Sequence, residues 1–141
     1  MLMLGQIGRL VALSLVLWVA ATLYIDLLPG ALTHPIQGAV GFVTTLPVGW
    51  LSVLLARYVG RLAPRQLLAG VGLVGAVAMM VDGVALRWFP SVYGSDPVAV
   101  RLGAAWLLWG YGVSLTIAVV MSAHHERSVA PADWKSPERD E

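Results

Sequence analysis

The chain contains no cysteine, and only 12% of its 141 residues are charged. The first absence excludes a disulfide, a thiolate nucleophile, iron–sulfur ligation and any cysteine-based zinc site, and with them quinone-linked thiol chemistry. The second separates the chain from ordinary soluble domains, of which about 25% is charged. A formal net charge of +1 supplies no broad basic surface, so no nucleic-acid partner is expected. Reaction-centre signatures are missing too: there is no Walker-type glycine loop, nucleophile elbow or HExxH helix. The histidines are His34 in a short loop and the adjacent pair His124-His125, whose side chains leave a helix in different directions and so make poor joint metal ligands. Neither cofactor nor metal is expected.

What the chain has instead is hydrocarbon. Hydrophobic residues make up 58% of it, and they fall into four runs near 10–28, 36–58, 67–89 and 98–122. A bilayer core about 30 Å thick takes roughly 20 apolar residues in a helix, and each run supplies them. Pro29-Gly30 and Pro35 bracket the first break, Pro64 marks the second, and Pro90, Gly94 and Pro97 punctuate the third. The expected fold is therefore all-α, an integral membrane four-helix bundle over residues 1–122, followed by a polar, disordered cytoplasmic tail over 123–141. The first run resembles a secretory signal in having Arg9 ahead of it. Its apolar stretch continues through Leu28, longer than the ~7–15 residues of a signal core, and no cleavage motif closes it, so it reads as a retained span.

Orientation follows from Lys and Arg, which stay on the cytoplasmic side near span ends. Of the nine, Arg87 and Arg101 fall on one side and the rest on the other, seven against two. This bias predicts both termini and the second loop inside, with loops 29–35 and 90–97 outside. Tyr24, Trp88 and Tyr93 near one interface and Tyr58 near the other read as interfacial anchors.

Helices in lipid associate where small residues let backbones approach. Gly41, Thr45 and Gly49 line the second run at helical spacing, Gly75 and Ala78 the third, and Gly110, Ser114, Ala118 and Ser122 the fourth. These faces predict packing within the bundle, with a homodimer seam or another membrane protein as a further use for them. Ser14, Trp18, Thr22 and Asp26 form a polar stripe on the first helix, expected to face inward. Pro47 removes one backbone donor from the second helix and predicts a kink, which by itself indicates no transport path.

Asp82 is the most informative residue. It falls about 6 Å from the midplane of the third run, where an ionised carboxylate must be paired, hydrated or protonated. Arg87 and Arg101 come out roughly 13 Å and Asp26 about 10 Å from that plane, in one outer layer. Asp26, Asp82, Arg87 and Arg101 are accordingly the candidate buried polar cluster, with an arginine as the expected partner of Asp82. A charge network that fixes helix order is the first reading of this cluster; a proton- or ligand-binding site is the second.

Tyr24-Ile25-Asp26 at the end of the first helix, Pro47 within the second, and Met80-Val81-Asp82-Gly83 followed by Trp88-Phe89-Pro90 carry a resemblance. Over about residues 8–122 the chain resembles a bacterial family of small four-helix membrane proteins of unknown function. The resemblance implies that fold and a bacterial cytoplasmic membrane location, and no activity. The function expected is thus that of a non-catalytic structural or partner-binding membrane component in contact with the lipid bilayer. A small proton-coupled transporter or ligand-binding protein using Asp82 is the alternative, and a membrane enzyme the third choice.

Overall fold

A computed structural model describes residues 1–129. Helix α1 (Leu4–Leu27) is followed by the single-turn-and-a-half α2 (Pro29–Thr33), then α3 (Pro35–Gly60), α4 (Leu67–Trp88) and α5 (Pro97–Val129). Short 3-10 turns, Pro64–Gln66 and Pro90–Tyr93, precede α4 and α5. Among the described residues the chain is all-helical, and α1, α3, α4 and α5 are long and apolar enough to cross a membrane. Their outer faces expose large apolar side chains such as Val16, Leu51, Met80 and Leu108, a surface matched to hydrocarbon rather than to water.

Local chemistry sets the boundaries. Proline opens α2, α3 and α5, where its missing N–H leaves no bond unmade and its fixed φ suits the first turn. Asp96 caps α5, its Oδ1 accepting from Val98 N at 2.9 Å. α3 ends in a Schellman turn, with Leu62 N donating to Arg57 O at 3.0 Å and Arg61 N to Tyr58 O at 3.2 Å. Arg61 takes the left-handed position there, φ 48°, which glycine would fill at lower cost. The turn drives Leu62 into the core, where it closes over Gly70 so tightly that a Cβ on Gly70 would stand 2.3 Å from Leu62 Cδ1.

Two boundaries differ from the sequence expectation. α1 begins at Leu4 rather than near residue 10, because Gln6 closes a box on its first turn: Met3 N donates to Gln6 Oε1 at 2.9 Å. α5 continues to Val129 rather than ending near residue 122, carrying Ala123 to Arg127 in helix past the apolar run. The remainder of the expected tail, 130–141, lies outside the described residues.

The core is divided. One cluster, around Leu10, Val53, Ala56, Leu67 and Ala118, fills the end of the bundle where Arg61 lies. The other, around Ile25, Leu32, Ala85, Tyr93 and Leu107, fills the end where Pro29 and Pro90 lie. α3 and α5 join through small residues: a Cβ on Gly49 would stand 2.9 Å from Val113 Cγ1 and 3.3 Å from Ser114 Oγ, and one on Gly110 would stand 3.6 Å from Thr45 Cγ2. Trp106 Nε1 donates to Thr45 Oγ1 at 2.9 Å and Trp109 Nε1 to Phe42 O at 3.0 Å across the same seam. α3 runs through Pro47 as one helix. In the turn before it, Thr44, Thr45 and Trp106 all donate to Gly41 O.

Candidate functional site

Asp82 lies on the inward face of α4, 5% exposed, on the same face as Gly75, Ala78 and Ala85. Its carboxylate accepts three hydrogen bonds from three other elements. Trp18 Nε1 of α1 donates to Oδ1 at 2.8 Å. The Tyr93 hydroxyl, from the turn after α4, donates to the same oxygen. The Tyr111 hydroxyl of α5 donates to Oδ2. Trp18 Nε1 also lies 3.2 Å from the Tyr93 hydroxyl oxygen, which closes the group into a knot.

No arginine takes part, which corrects the partner expected for Asp82. Arg87 is exposed and stands 5.9 Å over the ring of Trp88. It lies five residues beyond Asp82, a rotation of about 140° around the helix, and so leaves α4 on another face. Arg101 and Asp26 are exposed as well. Asp26 sits beside Gly94, where a Cβ would come 3.4 Å from its Oδ1. The four-residue cluster is therefore not one site: Asp82 is inside, and Asp26, Arg87 and Arg101 lie at the surface. The physical reason is that neutral indole and phenol donors satisfy a buried carboxylate without burying a second charge, whose desolvation is costly.

The knot has a defined effect. Each hydrogen bond to a charged group contributes roughly 1.5–3 kcal/mol, and together they tie α1, α4, α5 and the turn before α5. Tyr93 is 1% exposed. Burial first, and then the adjoining carboxylate, push its phenol well above the ordinary value, so it remains a donor at physiological pH. The polar stripe of α1 points the same way: Ser14 is fully buried and donates to Val74 O at 2.8 Å, and Thr22 is buried. Reading the sequence missed Tyr93, taken as an interfacial anchor, and Tyr111, given no role. The available signal was chemical, since buried tyrosine and tryptophan need a partner for their one polar atom and Asp82 needed donors.

Next to the knot, and between the two core clusters, is a cavity of about 420 Å³. All four long helices line it. Trp18 and Tyr111 form part of its wall while their polar atoms are turned to Asp82. Gly41 and Gly75 line it with open space where a side chain would begin, and Val48, Val53, Val74 and Leu107 supply its apolar surface. Of the hydroxyls on its wall, Thr44 and Thr45 donate to Gly41 O, Ser52 donates to Val48 O and Tyr111 donates to Asp82, while those of Ser114 and Tyr24 make no hydrogen bond among the described residues. Ala20 of α1 and Thr44 and Val48 of α3 line the cavity and are themselves exposed, so it opens sideways between α1 and α3. Among the described residues no group of three or more histidine, cysteine or acidic side chains is placed to hold a metal ion.

The fold and site thus define an all-helical protein with four helices able to cross a membrane, tied by a buried carboxylate beside an apolar chamber. The chain belongs to a family of unknown function, DUF5367, whose model matches residues 32–125. Asp82, Tyr93 and Tyr111 fall inside the matched region, while Trp18 and the Tyr24-Ile25-Asp26 segment precede it. No curated protein matches the chain, and no solved structure does.

Proposed function

We propose that this is a non-catalytic, multi-pass membrane protein that holds a small apolar or amphiphilic molecule within its bundle, with both termini on the cytoplasmic side. The observation that carries the reading is the 420 Å³ chamber with its sideways opening between α1 and α3. That volume lies within the range of small-molecule sites, about 300–1,000 Å³. Its wall is mostly apolar and the hydroxyls of Thr44, Thr45 and Ser52 are already bonded to carbonyls, so hydrocarbon is the chemistry the wall favours, with Ser114 left to meet one polar group of an amphiphile. In this reading Asp82 is a scaffold residue rather than a proton carrier. Its oxygens serve Trp18, Tyr93 and Tyr111, and the cluster with Arg87 and Arg101 that motivated a proton-coupled transporter is not assembled.

A hydrocarbon-chain alcohol carrying a photoactivatable diazirine, supplied in liposomes and mapped by peptide mass spectrometry, tests this. Labelling is expected on Val48, Ser52 and Val74, and it should be lost in Gly75→Leu. Gly75 suits that change because a Cβ there meets only Met79 Cε, at 3.9 Å, and points into space. Labels spread evenly over the exposed faces of all four helices, unaltered by Gly75→Leu in protein that still melts cooperatively, would overturn the proposal.

A further inference from the structure

At the Arg61 end of the α1/α3 seam is an open recess lined by Arg9, Arg57, Tyr58 and Arg61, with Leu54, Val59 and Leu62 as its apolar floor. Arg9 is fixed there: its Nε donates to Gly5 O at 3.0 Å and its Nη1 to Val59 O at 3.4 Å, across from α1 to α3. A guanidinium has five N–H groups, so further donors remain on Arg9 alone. Among the described residues none of the three arginines hydrogen-bonds a carboxylate.

The recess and the chamber are in register. Arg9 and Ala20, which lines the chamber mouth, are eleven residues apart on α1. Eleven residues come within about 20° of three full turns, so both leave the helix on one face, about 16 Å apart along the axis. From the edge of the hydrocarbon to its midplane is about 15 Å. A headgroup held at Arg9 therefore places the far end of its acyl chain at the chamber mouth.

We propose that this recess binds the phosphate of an anionic phospholipid whose acyl chain runs along the α1/α3 seam into the chamber. The inference rests on the reading of the chamber as a hydrocarbon site. Planar guanidinium groups match phosphate oxygens in paired hydrogen bonds, and the Tyr58 hydroxyl at the rim adds another donor. Charge sets the selectivity: three arginines without a carboxylate in the recess lining repel the cationic part of a zwitterionic headgroup and retain a net-negative one. Leu13 and Val16, apolar and on the same face of α1 between Arg9 and Ala20, distinguish a lipid from free phosphate.

The full chain is titrated in detergent with phosphatidylglycerol, phosphatidylcholine or inorganic phosphate, and bound molecules are counted by native mass spectrometry. Phosphatidylglycerol is expected to be retained selectively. Its binding should weaken about thirtyfold in Arg57→Gln/Arg61→Asn, from two lost interfacial charges. Arg65→Gln, on the same side and outside the recess lining, should leave it unchanged. Gly75→Leu should also weaken phosphatidylglycerol, with the preference over phosphatidylcholine kept. Equal retention of the two lipids, binding of inorganic phosphate as tight as that of the lipid, or an equal loss in Arg65→Gln would each overturn the proposal. The diazirine labelling separates the two readings. If chamber labelling persists without phosphatidylglycerol selectivity, the headgroup site alone is wrong; if both are missing, the chamber reading has failed as well. Melting curves on each variant confirm that folded protein is being compared, and Arg57→Lys/Arg61→Lys, which keeps the charge, should restore part of the binding.

Discussion

Trp18 of α1 donates its indole N–H to Asp82 of α4 at 2.8 Å, a hydrogen bond across 64 residues that joins the first half of the bundle to the second. With the hydroxyls of Tyr93 and Tyr111 on the same carboxylate, it leaves α3 as the one long helix outside the knot. α3 is held to α5 by small-residue packing and indole donors instead. The side of α3 toward α1 is where the chamber opens.

Removing a donor from the knot should be costly. Tyr111→Phe is expected to lower stability by about 1.5–3 kcal/mol, read as a lower melting temperature in detergent. Asp82→Asn should also destabilise the fold. The two changes together should cost less than their sum, by roughly 0.5–3 kcal/mol, because they remove one shared interaction. Additive effects would show that the Tyr111 hydroxyl is not bonded to Asp82.

Arg87 supplies the contrasting case. Had it paired with Asp82, Arg87→Gln would recover part of the loss in Asp82→Asn by removing a stranded charge. Its exposure and its position over Trp88 predict no recovery. A melting temperature of Asp82→Asn/Arg87→Gln above that of Asp82→Asn would contradict the geometry.

The α3/α5 seam should resist enlargement. A Cβ on Gly49 already stands 2.9 Å from Val113 Cγ1, so Gly49→Val is expected to overpack the contact and cost about 1–3 kcal/mol. Gly110→Leu should act in the same direction, through Thr45. Gly83 and Gly112 have open space where a Cβ would go, so their replacement by leucine should leave melting nearly unchanged. A ranking of the four variants by melting temperature checks this, and equal behaviour at Gly49 and Gly83 would place the seam elsewhere.

Gly94 adopts φ 119°, in a region that side-chain-bearing residues rarely enter. It follows Tyr93 directly, so Gly94→Ala should strain the turn by roughly 1–3 kcal/mol and displace the phenol from Asp82. Near-ultraviolet circular dichroism, which senses tyrosine packing, should change together with the melting temperature. An unchanged spectrum would mean that the turn does not set the position of Tyr93.

Topology is testable by reporter fusions. The seven-to-two distribution of basic residues predicts that fusions after Gly30 and Ser95 report outside the cytoplasm, and those after Ala63 and at the carboxyl end inside. A carboxyl-terminal fusion active outside would reverse the orientation, and would put the arginine recess in the opposite leaflet.

The sequence by itself determined four apolar helices and the proline-marked breaks between them, because helix length and apolar content are local quantities that a bilayer-scale run of residues makes unambiguous. It also determined that Asp82 needs compensation, since the cost of burying a carboxylate depends on its depth and not on its neighbours' names. Which groups compensate it was decided only by tertiary structure. Periodicity gives the direction in which a side chain leaves its own helix, but not how that helix is rotated against the others. Two of the three donors lie on other long helices and the third in a turn that looked like an interfacial anchor. The same holds for Arg87 and Arg101, which the depth of each residue grouped with Asp82 and the rotation of the helices separated. The chamber was least legible of all. It is a shortfall of packing volume beside Gly41 of α3 and Gly75 of α4, and a shortfall exists only after the helices are set side by side.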